Sequence, residues 1–137
     1  MGLYLCIFNE DDEIAGVEVG SYADFNVFRD HVVKLLEDGR AGSKFPTLIL
    51  HADSDGEWSS QEAVELEKEL IVIGEAFRLR PAISISSPSQ RKIATNFGLQ
   101  LNSLYDCFFD VDGEPLIERL TDLARQSQKT RLPILFQ

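Results

Sequence analysis

Apolar positions along the chain recur with two periods, and the switch between them divides the sequence into elements. Gly2–Phe8 is a short apolar run rich in β-formers, which suits a buried strand. Asn9-Glu10-Asp11-Asp12-Glu13 is a polar turn. Ile14–Val19 alternates, with Val17 and Val19 facing one way and Glu18 the other. The two runs predict a β-hairpin with an acidic tip. The period then lengthens. Tyr22, Phe25, Phe28, Val32, Leu35 and Leu36 recur at three- and four-residue steps behind Ser21, a helix cap with Asp24 three residues on. This helix is expected to end near Asp38-Gly39.

Gly39–Lys44 reads as a flexible loop, and Thr47–Leu50, behind Pro46, as a second buried strand. His51–Trp58 is a polar loop. Ser59 opens a long helix with Ala63, Leu66, Leu70, Ile73 and Phe77 inward, which Pro81 ends. Ala82–Ile85 is a possible third strand. Ser87-Pro88 starts a short helix that Gly98 closes. Leu104–Phe109 is either a strand or a buried turn. Pro115 starts the last helix, which buries Leu116, Leu120, Leu123 and Ala124, and Pro133–Phe136 is a final short strand. Strands and helices mix without a strict βαβ rhythm. The expected fold is therefore α+β, a small, mostly antiparallel sheet packed by amphipathic helices. No linker or repeat interrupts residues 1–137, so a single domain is expected, a usual size for one.

Charge changes this picture. Thirteen Lys and Arg face twenty-three Asp and Glu, a formal net charge of −10. Such a field repels nucleic acid and anionic membranes and speeds encounter with a basic protein. No stretch reaches the apolar length of a membrane span, and the start of the chain lacks the basic region of a signal sequence. Cys6 and Cys107 lie in apolar runs without CxxC spacing, which favours buried free thiols over a metal or redox pair. A reducing, cytoplasmic setting is expected.

Candidate chemistry is concentrated in two turns. His51–Glu62 can be laid on a calcium loop, with Asp53, Asp55, Gly56 and Glu62 at liganding or turning positions. His51 at its first position is a nitrogen donor poorly matched to calcium, and a strand-like run precedes it where an EF-hand has a helix. Ser59-Ser60-Gln61-Glu62 is equally a capping box. Asp110-Val111-Asp112-Gly113-Glu114 echoes the first turn but has Arg119 where a twelfth ligand would stand. Trp58, the one tryptophan, is either a core plug or a binding anchor. His31 and His51 stand apart from any nucleophile motif, and no P-loop, GxSxG or HExxH is present, so no enzyme class is supported and no cofactor is called for.

Five stretches together carry a resemblance: MGLYLCIF at Met1–Phe8, GVEVGSYADF at Gly16–Phe25, FPTLILHADSDGEW at Phe45–Trp58, LYDCFFDVDGEPLIERL at Leu104–Leu120, and LPILFQ at Leu132–Gln137. In these the chain resembles the immunity protein 70 family of bacterial polymorphic toxin systems. The resemblance implies a cytoplasmic antidote that binds and blocks a cognate toxin. It supplies no residue list. The charge suggests a basic, nuclease-like toxin blocked by an acidic surface. Asp53, Asp55, Glu57 and Trp58 are the first candidates for partner binding, Asp110, Asp112 and Glu114 the second, and the hairpin tip Glu10–Glu13 the third. The alternative is a calcium- or small-ligand-binding module using the 51–62 loop.

Overall fold

The computed structural model describes residues 2–137. Two strands, β1 (Leu3–Asn9) and β2 (Asp12–Gly20), form the N-terminal hairpin, followed by α1 (Tyr22–Leu36) and a one-turn helix α2 (Pro46–Ile49). A two-residue strand β3 (Glu57–Trp58) leads into α3 (Ser60–Arg78). Then come α4 (Pro88–Phe97), a 3-10 turn at Leu104–Cys107, α5 (Leu116–Thr130) and β4 (Ile134–Phe136). The sheet order is β2-β1-β4-β3, and every pairing is antiparallel. The α+β class is as the pattern predicts.

The helix boundaries follow their caps. Ser21 accepts from the Asp24 amide, and Ser59 and Glu62 form a complete capping box at the head of α3. Pro88 sits in the first turn of α4, and Gly98 closes it in the left-handed conformation.

Alternation along the strands assigns the two faces of the sheet. Leu3, Leu5, Ile7, Val17, Val19, Trp58, Ile134 and Phe136 point into one apolar cluster with α1, α3 and α5. At its centre Phe28, Phe77 and Phe108 meet with ring centroids 5.2–6.2 Å apart. The opposite face presents Tyr4, Cys6 and Phe8 of β1, Gly16 and Glu18 of β2, Leu135 of β4 and Glu57 of β3. The register aligns Gly16, Cys6, Leu135 and Glu57 in one row across all four strands. None of these outward residues belongs to the helix-packed cluster.

Two expected strands are not strands. Thr47–Leu50 lies largely within α2, where Pro46 occupies the first turn and the Glu69 carboxylate accepts from the amides of Thr47 (3.1 Å) and Leu48 (2.9 Å). A four-residue apolar run fits strand or buried helix equally, and a carboxylate 21 residues away decided it. Ala82–Ile85 has no ladder partner and runs as irregular chain, exposed up to the half-buried Ile85. Its anchor is the Cys107 thiol, with Sγ 3.4 Å from the Ile83 amide and 3.6 Å from the Ile83 carbonyl. Leu104–Phe109 resolves as the buried turn. Glu57–Trp58, expected in a loop, closes the sheet edge instead.

Candidate functional site

Strand direction fixes where the acidic turns lie. β1 runs away from the end at which Leu3 faces Gly20 and carries the hairpin tip to the other end. β4 runs back, and β3 enters beside it, so the 51–56 loop lies at the Leu3–Gly20 end. The second turn reaches the same end, because the Val111 amide donates to Glu18 O at 3.1 Å. The two acidic turns thus flank the start of α1, one near each edge of the sheet. The tip Glu10–Glu13 is at the opposite end.

The 51–57 loop is held by α1. Arg29 Nη1 donates to His51 O at 2.7 Å and to Leu48 O at 3.2 Å, and its Nη2 donates to Asn26 Oδ1 at 2.7 Å. Asn26 Nδ2 donates in turn to Asp53 Oδ2 at 2.7 Å. That bond, helped by the nearby Arg29 guanidinium, holds the Asp53 carboxyl below the usual range. His51 stacks on Phe136 with centroids 4.1 Å apart, and its ring nitrogens lie 2.7 Å from Ala52 O and 2.9 Å from Glu57 O. Asp55 and Glu57 are exposed.

Trp58 and Asp110 are not available to a partner. Trp58 is 1% exposed, packs against Phe136, and donates from Nε1 to Thr47 O at 2.9 Å. It is a core plug, because the two-residue strand turns its side chain onto the inner face. Asp110 is fully buried, and its Oδ1 accepts from the amides of Asp112 and Glu114, both at 3.0 Å. Its Oδ2 lies 3.1 Å from Arg119 Nε, but neither atom meets hydrogen-bond geometry with the other. The pair is therefore a Coulombic contact, not a charge-assisted hydrogen bond. Asp112 and Glu114 are exposed.

The carboxylates of the 51–62 loop do not converge as cation ligands would. Glu62 Oε1 accepts from the Ser59 amide at 3.0 Å, and Asp53 is bound to Asn26. Among the described residues, no group of three or more His, Cys, Asp or Glu is arranged to hold a metal ion.

Clefts elsewhere bring together little reactive chemistry. A groove of about 290 Å³ between α3 and α5 is lined by Glu75, Arg78, Tyr105, Glu118, Asp122 and Arg125. Arg78 there is spent on the face of Tyr105, 4.2 Å from its centroid, and Arg125 on Glu67 at 2.7 Å. A second cleft of about 230 Å³ holds His31 and Cys107. His31 Nδ1 is 2.9 Å from Val27 O, and burial pushes the Cys107 thiol up, away from the thiolate that nucleophilic catalysis requires. No helix among the described residues is long and apolar enough to cross a membrane.

A small antiparallel sheet with helices on one face and a partly apolar opposite face rimmed by carboxylates defines an α+β domain. The particular family follows from the sequence: residues 3–136 match the model of Immunity protein 70, and the chain belongs to that family. No curated protein and no solved structure matches it.

Proposed function

We propose that this chain is the antidote to a bacterial toxin domain and neutralises it in the cytoplasm by binding, without catalysis. The observation that carries this reading is membership of the Immunity protein 70 family over residues 3–136. The charge distribution supports an acidic binding surface. There is no Lys or Arg before Arg29, whereas Glu10, Asp11, Asp12, Glu13, Glu18 and Asp24 precede it. Asp55, Glu57, Asp112 and Glu114 add exposed carboxylates at the Leu3–Gly20 end of the sheet, and Asp53 is half-buried beside them.

A toxin that acts on nucleic acid needs a basic working face to hold phosphates. A negative inhibitor is steered to such a face and can cover it, with charge setting mainly the association rate. Trp58 and Asp110 serve this reading by shaping their loops.

The test is co-expression of the chain with the toxin encoded by the adjacent gene. Rescue of growth and a 1:1 complex that weakens as salt is raised are the expected results. A toxin that remains lethal and unbound beside a well-folded chain would reject the reading.

A further inference from the structure

Carboxylates alone give fast encounter but not a long-lived complex, since lifetime depends on buried aromatic and apolar anchors. Although Phe97 stands beside Gly113 of the second acidic turn, the acidic loops themselves contain no exposed aromatic once Trp58 is seen in the core. The outward face of the sheet does. Tyr4, Phe8 and Leu135 are partly exposed on it, with Cys6 buried beneath them. Tyr4 is held in place: its hydroxyl donates to Glu13 Oε1 at 2.6 Å, and its side chain lies over Gly16, where any Cβ would collide with the phenol. A preset tyrosine loses little side-chain entropy on binding.

Glu13, Glu18 and Glu57 are exposed around this apolar centre, and the four strands contain no Lys or Arg. Arg119, which donates to Gly16 O at the β2 edge, is already committed to Asp110. Among the exposed apolar residues elsewhere, Val64, Ile71 and Val72 on α3, with Leu79 just past its end, are interrupted by Lys68 and Arg78 and are less one-sided in charge.

We infer that the outward face of the sheet, with Tyr4, Phe8 and Leu135 at its centre and Glu13, Glu18 and Glu57 at its rim, is the docking surface for a basic protein face of the toxin. The inference rests on the toxin-binding reading above. Charge complementarity selects the occupant. A second copy of this chain would bring a second set of carboxylates against the first, whereas Lys and Arg around an apolar patch would pair with the rim. The strands are seven, nine, two and three residues long, and at about 4.8 by 3.3 Å per residue they give roughly 300 Å² of face. A standard interface takes about 800 Å² from each partner. The contact therefore extends over the flanking acidic turns, and Asp55 and the hairpin tip become its rim.

The experiment is titration of the purified chain with the toxin domain of the adjacent gene, made in an inactive form, at two salt concentrations. Phe8→Ser/Leu135→Ser is expected to raise the dissociation rate at least tenfold with an unchanged salt dependence. Glu18→Lys/Glu57→Lys is expected to slow association at least tenfold and to flatten the salt dependence. Circular dichroism and thermal melts establish that each variant is folded. In the parent complex, side-chain NMR resonances of Tyr4, Phe8 and Leu135 are expected to shift, a readout that needs no variant. If the parent binds but both variants bind within twofold of it, or if those resonances stay in place, the sheet-face inference is wrong while toxin binding stands. A parent that self-associates through these residues also overturns it. A parent that does not bind the toxin at all removes the toxin-binding reading, and this inference with it.

Discussion

Tyr4 and Glu13, nine residues apart, are joined across the outward face of the hairpin by a 2.6 Å hydrogen bond from the phenol to Oε1. The bond passes over Gly16, so three residues on two strands fix one another. Acceptance by Glu13, with burial and the carboxylate's charge, raises the phenol from its ordinary 10 to about 12. Ultraviolet titration of the Tyr4 phenol should therefore show a midpoint near 12. In Glu13→Gln it should move down toward 10. Gly16→Ala should have the same effect, because the new methyl displaces the ring. A midpoint in Glu13→Gln equal to the parent's would contradict the assigned cause.

The same shift fixes a stability window. A raised folded-state value means that the bond's stabilisation is present below pH 10 and fades as pH rises through about 12. The stability difference between the parent and Tyr4→Phe should be level from neutral pH to about pH 9 and should shrink between pH 10 and 12. Urea unfolding across that range measures it. A difference that grows with pH would reverse the sign and refute the linkage.

Glu37 is 1% exposed at the end of α1, and its carboxylate accepts from the amides of Gly42 (3.1 Å), Lys44 (2.8 Å) and Phe45 (2.8 Å). One side chain thus organises the loop that the sequence suggests is flexible. Hydrogen bonds to a charged group contribute about 1.5–3 kcal/mol each, part of which water recovers for the exposed amides. Glu37→Ala should cost about 2–4 kcal/mol in urea unfolding, with Glu37→Gln in between. Limited proteolysis should cut the alanine variant first between residues 38 and 45.

Glu69 holds α2 by its N-terminal amides, at 3.1 Å from Thr47 and 2.9 Å from Leu48. Four residues cannot sustain a helix alone, so α2 exists because of this contact and the burial of Leu48. Glu69→Ala should destabilise the protein by about 1–3 kcal/mol and should speed hydrogen exchange at the Leu48 amide more than in α5. Equal exchange at Leu48 in both proteins would show that α2 stands without its cap.

Trp58 and Asp110 should behave as structural residues. Trp58→Ala empties a core position and is expected to cost about 3–5 kcal/mol. Asp110→Ala removes the acceptor of two turn amides and the charge facing the partly exposed Arg119, and is expected to cost about 1–3 kcal/mol. Toxin affinity per folded molecule should change less in both than in Glu18→Lys/Glu57→Lys. A Trp58→Phe variant that melts like the parent yet loses toxin binding would return Trp58 to the interface.

Much of the fold is legible along the chain, and the reasons are local. The hairpin is announced by an apolar run of β-formers before Asn9–Glu13 and by alternation after it, and α1 and α3 by apolar steps of three and four behind Ser21 and Ser59. Phe25, Phe28, Leu66, Leu70 and Phe77 are buried where those steps place them. The failures share one cause. Thr47–Leu50 and Ala82–Ile85 are short apolar runs without a period of their own. Glu69 took the first into a helix, and the second, without a strand partner, stayed irregular. Trp58 stands among Asp53, Asp55 and Glu57 in sequence, yet a two-residue strand turns it inward.

The sequence by itself determined the secondary elements with a clear period, the caps that bound them, the acidic balance and the family. Those depend on neighbours within about a turn of helix or a strand pair, or on the order of residues alone. Tertiary structure alone decided which acidic groups share a surface. Glu13, Glu18 and Glu57 are up to 44 residues apart, and they share one face, at its two edges, because β4 inserts between β1 and β3 and aligns Gly16, Cys6, Leu135 and Glu57 in one row. The physical reason is that side chains in a sheet have neighbours across strands, set by ladder order and register, and strand order is not written in the spacing of any one segment.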